Sequence, residues 1–106
     1  MLVLIPIAAL APLAEPGLEI VLRDRKVVLV LDHREVDADW RPLPNESVRV
    51  EIIGQRVGNH AAFDSEAPAM HALKGGHPIT DPESLAHYQQ EARFLVEALQ
   101  ELRPKP

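Results

Sequence analysis

Four side chains of the kinds that ligate metals fall in one stretch. His60, Asp64, His71 and His77 lie between Asn59 and His77, the densest patch of imidazole and carboxylate in the chain. Imidazole nitrogen and carboxylate oxygen suit zinc or iron. The spacing argues against a site. His60 and Asp64 come close on one face only on a helix, and Pro68 and Gly75-Gly76 make the segment read as irregular. There is no H-E-x-x-H motif and no histidine pair four residues apart. The four remain weak metal candidates. The expectation is that segment 59–77 binds no transition metal tightly, and no cofactor is expected for the chain.

Asp32, Glu35, Asp37 and Asp39 form a second cluster, beside His33 and Arg34. In extended backbone Glu35, Asp37 and Asp39 share a side. Calcium and magnesium need oxygen atoms grouped in that way. The turn glycine of the common calcium loop is missing here, so the stretch reads as a solvated acidic connector. Nucleophiles are scarce. The chain has no cysteine, which removes thiolate catalysis, cysteine zinc sites and disulfides. Ser47, Ser65 and Ser84 lie in no G-x-S-x-G turn. Gly54 and Gly58 are not followed by the Lys and Ser/Thr of a phosphate loop. An acid–base pair of His60 or His77 with a carboxylate is chemically conceivable, but no geometry for it can be read. No catalytic signature is present.

The elements that would position these residues are clearer. Thr80-Asp81-Pro82-Glu83 opens a helix, with Thr80 as N-cap of a capping box or Asp81 as N-cap ahead of Pro82. Leu85, Tyr88, Ala92, Leu95, Leu99 and Leu102 follow at alternating spacings of three and four, and Val96 widens the stripe. Pro104 and Pro106 stop it after Arg103. Phe94 lies about 100° from Leu95, at or beyond the rim of the stripe, and a second surface would cover it. Leu18 to Arg23 and Lys26 to Asp32 read as a hairpin with Asp24-Arg25 at its tip. A two-residue loop places Leu22 opposite Val27, Ile20 opposite Leu29 and Leu18 opposite Leu31. The other hairpin face carries Val21, Val28 and Val30, so it too needs a cover. Val48 to Ile53 reads as a half-exposed strand near an edge, ended by Gly54 and Gly58. His33 to Ser47 reads as a long polar connector holding Trp40. Ser65 reads as the cap of a short helix from Glu66 to Lys74, closed by Gly75.

The N-terminus is apolar from Met1 to Ala14, and Ala9-Leu10-Ala11 faintly resembles a signal-peptidase site. No Lys or Arg precedes the run, and Pro12 follows the supposed cut. The run is too short to span a membrane. Leu2 to Ile5 therefore reads as a buried strand followed by a proline-punctuated connector, and the cytoplasm is the default location.

One hundred and six residues with 46 % hydrophobic and 25 % charged side chains fit a single domain with its own core, residues 1–106. The net charge of −5 and the lack of an uninterrupted basic run argue against nucleic-acid binding. The expected fold is α+β: a mostly antiparallel sheet of about four strands with a long C-terminal helix packed on one face. The leading functional reading is a small acidic, non-catalytic protein acting through protein–protein contacts. It would be a homodimer or an accessory subunit, with Val21, Val28, Val30 and Phe94 at the interface. Two alternatives stand beside it. One is a small metal-assisted enzyme built on segment 59–77. The other is a small-ligand binder with a pocket between helix and sheet, roofed by Trp40.

Overall fold

A computed structural model describes residues 1–101. In chain order it contains β1 (Leu2–Pro6), a single turn α1 (Ile7–Leu10), a 3-10 turn (Ala11–Leu13), β2 (Leu18–Arg23), β3 (Lys26–Val36), β4 (Pro42–Val57), β5 (His60–Asp64), β6 (Ala69–Lys74), β7 (His77–Pro78) and α2 (Pro82–Gln100). The strands form one sheet of seven, not about four. Its main path runs β1-β5-β4-β3-β2, and β6 pairs with β4 over Val48–Ile53 on the same edge as β5, opposite β3, with β7 beyond it. Every pairing is antiparallel. No helix among the described residues is long and apolar enough to cross a membrane.

The extra strands correct three expectations. The supposed connector from His33 to Ser47 is a hairpin arm, in which β3 continues to Val36 and β4 begins at Pro42. Its apolar signal is weak because the arm extends past the core, so the alternation is carried by polar residues. The supposed helix from Glu66 to Lys74 is the strand β6, paired with β4 from Val48↔Lys74 to Ile53↔Ala69. Ser65 caps nothing. It is buried, and both its backbone N–H and its hydroxyl donate to the Met1 carbonyl, at 3.0 and 3.2 Å. Local capping signals lose here to the unpaired edge of β4, whose amides and carbonyls need partners. β4 is accordingly a central strand, not an edge one.

Gly54 does not end β4; it permits a ring to lie on it. A Cβ at Gly54 would stand 2.4 Å from Cε1 of Phe63, which is fully buried. Gly58 does make the turn into β5, with φ at 59°. The β2–β3 hairpin has the expected register: Leu22↔Val27, Ile20↔Leu29 and Leu18↔Leu31. Asp24 takes the left-handed conformation that its tip requires, with φ at 43°.

The core lies between the sheet and α2, which rests on β1, β6 and β4. Val3 and Ile5 are fully buried, whereas Leu2 and Leu4 are exposed, so β1 is a half-buried edge strand. Asp81 is the N-cap of α2, its carboxylate accepting from the Ser84 N–H at 2.9 Å, with Pro82 in the first turn. The buried stripe is Tyr88, Ala92, Val96 and Leu99, with Leu85 and Leu95 half-buried at its flanks. Leu102, Arg103, Pro104 and Pro106 lie outside the described residues. Leu10 is buried in the same core, and Ile7 and Leu13 pack against it. The N-terminal connector thus sits on the helix side of the sheet, away from Val21 and Val28.

Candidate functional site at the helix–sheet junction

The face of β3 that builds the core carries Val27, Leu29 and Leu31. Strand alternation puts His33 and Glu35 on the same face. The stripe of α2 behaves likewise: Val96 and Ala92 lead back toward the N-terminus to Glu91, Tyr88, His87 and Ser84, at helical spacing. Both elements turn polar at the same end of the molecule. Where they meet they enclose a cleft of about 480 Å³, overhung by Trp40.

Trp40 sits at the tip of the β3–β4 arm, 82 % exposed and with φ at 62°. A bulky residue in the left-handed region is uncommon. The turn holds it there: the Asp37 carboxylate accepts from the N–H groups of Asp39 and Arg41, at 2.8 and 3.0 Å, and the Asp37 carbonyl accepts from the Trp40 N–H at 3.0 Å.

The inner wall is a fixed polar network. Tyr88 is buried, and its hydroxyl donates to Glu35 Oε1 at 2.9 Å. Lys74 of β6 donates to Glu35 Oε2 at 2.8 Å and pairs with Glu46 at 3.2 Å. The Lys74 ammonium, helped by the Tyr88 hydroxyl, holds the Glu35 carboxyl below its usual 4.5. Burial, reinforced by the Glu35 carboxylate, pushes the Tyr88 phenol above its usual 10.0. Lys74 is in turn raised by Glu35 and Glu46. Among the described residues no buried side-chain nitrogen or oxygen lacks a partner.

Above this wall lie His33, His87 and Glu91. Glu91 Oε1 stands 3.4 Å from His33 Nε2 and 3.3 Å from His87 Nε2. Ligand atoms from all three residues lie within 4.8 Å of one another. The buried Tyr88 ring meets both imidazoles edge-on, with centroids 6.0 Å from His33 and 5.1 Å from His87. Such edge-to-face contacts fix ring orientation.

No known protein family, curated protein or solved structure matches this chain.

The residues singled out from sequence are placed elsewhere. His60 and Asp64 occupy the two ends of β5, about 13 Å apart at strand rise. Asp64 is already engaged, accepting from the Met1 ammonium at 3.2 Å and the Glu66 N–H at 3.0 Å. The Glu66 N–H and that ammonium hold its carboxyl below the usual 3.8. His71 is exposed on β6 opposite Glu51, and His77 is exposed on β7. Among the described residues these four form no convergent ligand group. The acidic cluster is dispersed: Asp32 pairs in register with Arg49, Asp37 serves the turn, and only Glu35 enters the cleft. Ser84 belongs to the α2 cap, where its hydroxyl helps hold the Asp81 carboxyl below the usual 3.8. On the other sheet face Val21 and Val28 are half-buried, and Val30 is 3 % exposed within the single chain. Phe94 is 61 % exposed.

Sequence reasoning missed His87 and Glu91 and read His33 only as part of a connector. The available signal was positional. The alternation from Val27 carries through His33 to Glu35, and the α2 stripe carries back from Val96 to His87.

Proposed function

We propose that the chain is a small-ligand-binding domain whose site is the cleft between β3, the arm tip and the N-terminal half of α2. The observation that carries this reading is Trp40, 82 % exposed above a cleft walled by a rigid tyrosine–glutamate–lysine network and two histidines. An indole held in water by a strained turn loses burial that an occupant would restore. The occupant that fits is small and polar. It has a planar group to lie on the indole and hydrogen-bonding groups for the imidazoles.

Trp40 is the chain's single tryptophan, so intrinsic fluorescence reports on the cleft alone. Titration with a panel of planar polar compounds (nucleosides, aromatic amino acids, pterins) is expected to find one that shifts the emission to the blue and saturates. Spectra unchanged across the panel, in metal-free and zinc-containing buffer alike, count against the reading.

A second reading keeps the protein–protein contact. Phe94 is 61 % exposed, and Val21 and Val28 are only half-buried on a sheet face that α2 leaves uncovered. Under this reading the chain forms a homodimer in the cytoplasm, and neither nucleic acid nor membrane is its partner.

A further inference from the structure

We infer that His33, His87 and Glu91 bind one divalent transition-metal ion of the zinc class. The three residues come from two elements that the core fixes against each other: His33 from β3, and His87 and Glu91 from consecutive turns of α2. One carboxylate oxygen faces both imidazoles, at 3.3 and 3.4 Å. These separations suit a tetrahedral ion, whose bonds of about 2.0–2.1 Å place neighbouring ligand atoms about 3.3 Å apart. Half-exposed His87 has room to adjust the remaining edge by rotating its ring.

The donor set selects the metal. Calcium and magnesium want six or more oxygen atoms, whereas two imidazoles with one carboxylate suit zinc and its neighbours. Of the other charged groups lining the cleft, Glu35 is already paired with Lys74, and Glu83 stands with Arg34. Lys74 does not compete, being tied to Glu35 and Glu46. Tyr88 contributes as a positioning residue, its buried ring edge-on to both imidazoles. Zinc prefers four ligands. Three protein ligands leave one coordination position, which opens into the cleft and takes water or a donor atom of the cleft's occupant. Only that last role rests on the ligand-binding reading; the three protein ligands stand on geometry alone.

Isothermal titration of the untagged chain with zinc chloride tests the inference. One zinc per chain is expected. His87→Ala and Glu91→Gln should each weaken binding at least about 100-fold, more than the loss of a supporting outer contact. His87 is exposed and Glu91 partly buried, and a circular dichroism melt verifies that both variants fold. The triple variant His60→Ala, His71→Ala, His77→Ala should bind like the parent, and cobalt(II) should give the intense visible bands of a tetrahedral site. No saturable binding, unchanged affinity in His87→Ala and Glu91→Gln, or affinity lost in the triple variant overturns the inference. Trp40→Ala separates the two claims. It should keep the zinc affinity while abolishing any organic ligand's binding, so a failed ligand screen leaves the zinc result standing, and the reverse.

Discussion

Glu35 is the residue on which the cleft wall turns. Its two oxygens join Tyr88 of α2 and Lys74 of β6 to β3. Because its carboxyl lies below the usual 4.5 in the folded chain, it binds a proton less readily there than when unfolded. Its stabilising contribution is therefore complete above about pH 4.5 and is lost as pH falls through the lower folded value. Glu35→Gln should be less stable than the parent near neutral pH, and the gap should close in acid. Urea midpoints measured from about pH 7 to about pH 3 check this; a gap that widens in acid contradicts it. Tyr88 gives a complementary test, as the chain's single tyrosine. Its folded value is raised above 10.0, so its contribution is present below about pH 10 and fades as pH rises toward the folded value. Ultraviolet titration of tyrosinate should show a midpoint above 10.0. In Glu35→Gln that midpoint should fall only part of the way, because burial is the larger cause.

At the scale of elements, two contacts set how the sheet and helix meet. β4 must bring Phe63 of β5 flat against its own backbone, and Gly54 is the position that allows it. Gly54→Ala forces the fully buried ring or the strand to shift and should cost about 1–3 kcal/mol, read as a lower denaturant midpoint at unchanged slope. In α2 the burial ranks the leucines. Leu99 is 4 % exposed, while Leu95 is half-buried. Leu99→Ala should cost about 2–5 kcal/mol and Leu95→Ala clearly less; equal losses would mean that the helix is docked in another rotation. The β2–β3 register and the start of α2 were legible because each depends on neighbours in sequence: alternation about a two-residue tip, and Asp81 ahead of Pro82. β6 was not legible. Ser65 and Gly75 carry local helix-boundary signals, and the competing pull comes from the edge of β4, some twenty residues earlier in the chain. The arm from His33 to Ser47 was missed because Pro42, Pro44 and the charged residues there hide the alternation.

For the whole molecule, the question is which surfaces are left for partners. The sheet has one helix-covered face, and the proline-rich connector lies on that same side. Val30 is nonetheless buried within one chain, so of the four residues expected at an interface Val21, Val28 and Phe94 stay accessible. A homodimer through them should bury at least about 1,000 Å². Sedimentation equilibrium at micromolar concentration should then give a dimer mass, and Val28→Glu should return it to monomer; a monomer mass for the parent rejects that contact. The cleft itself was illegible from sequence for a simple reason. His33 and Glu91 are separated by most of the chain, and only the docking of α2 on the sheet brings them within 3.4 Å. The histidine-dense segment drew attention by composition, yet its strands spread those side chains apart.

The most direct test of the account is a heteronuclear NMR titration of the labelled chain with zinc, followed through amide and imidazole signals. The shifts should concentrate on His33, His87, Tyr88 and Glu91, with smaller changes at Trp40, and reach an end point at one equivalent. Shifts centred on His60, His71 or His77, or no shifts at all, would contradict a metal-holding cleft at the helix–sheet junction.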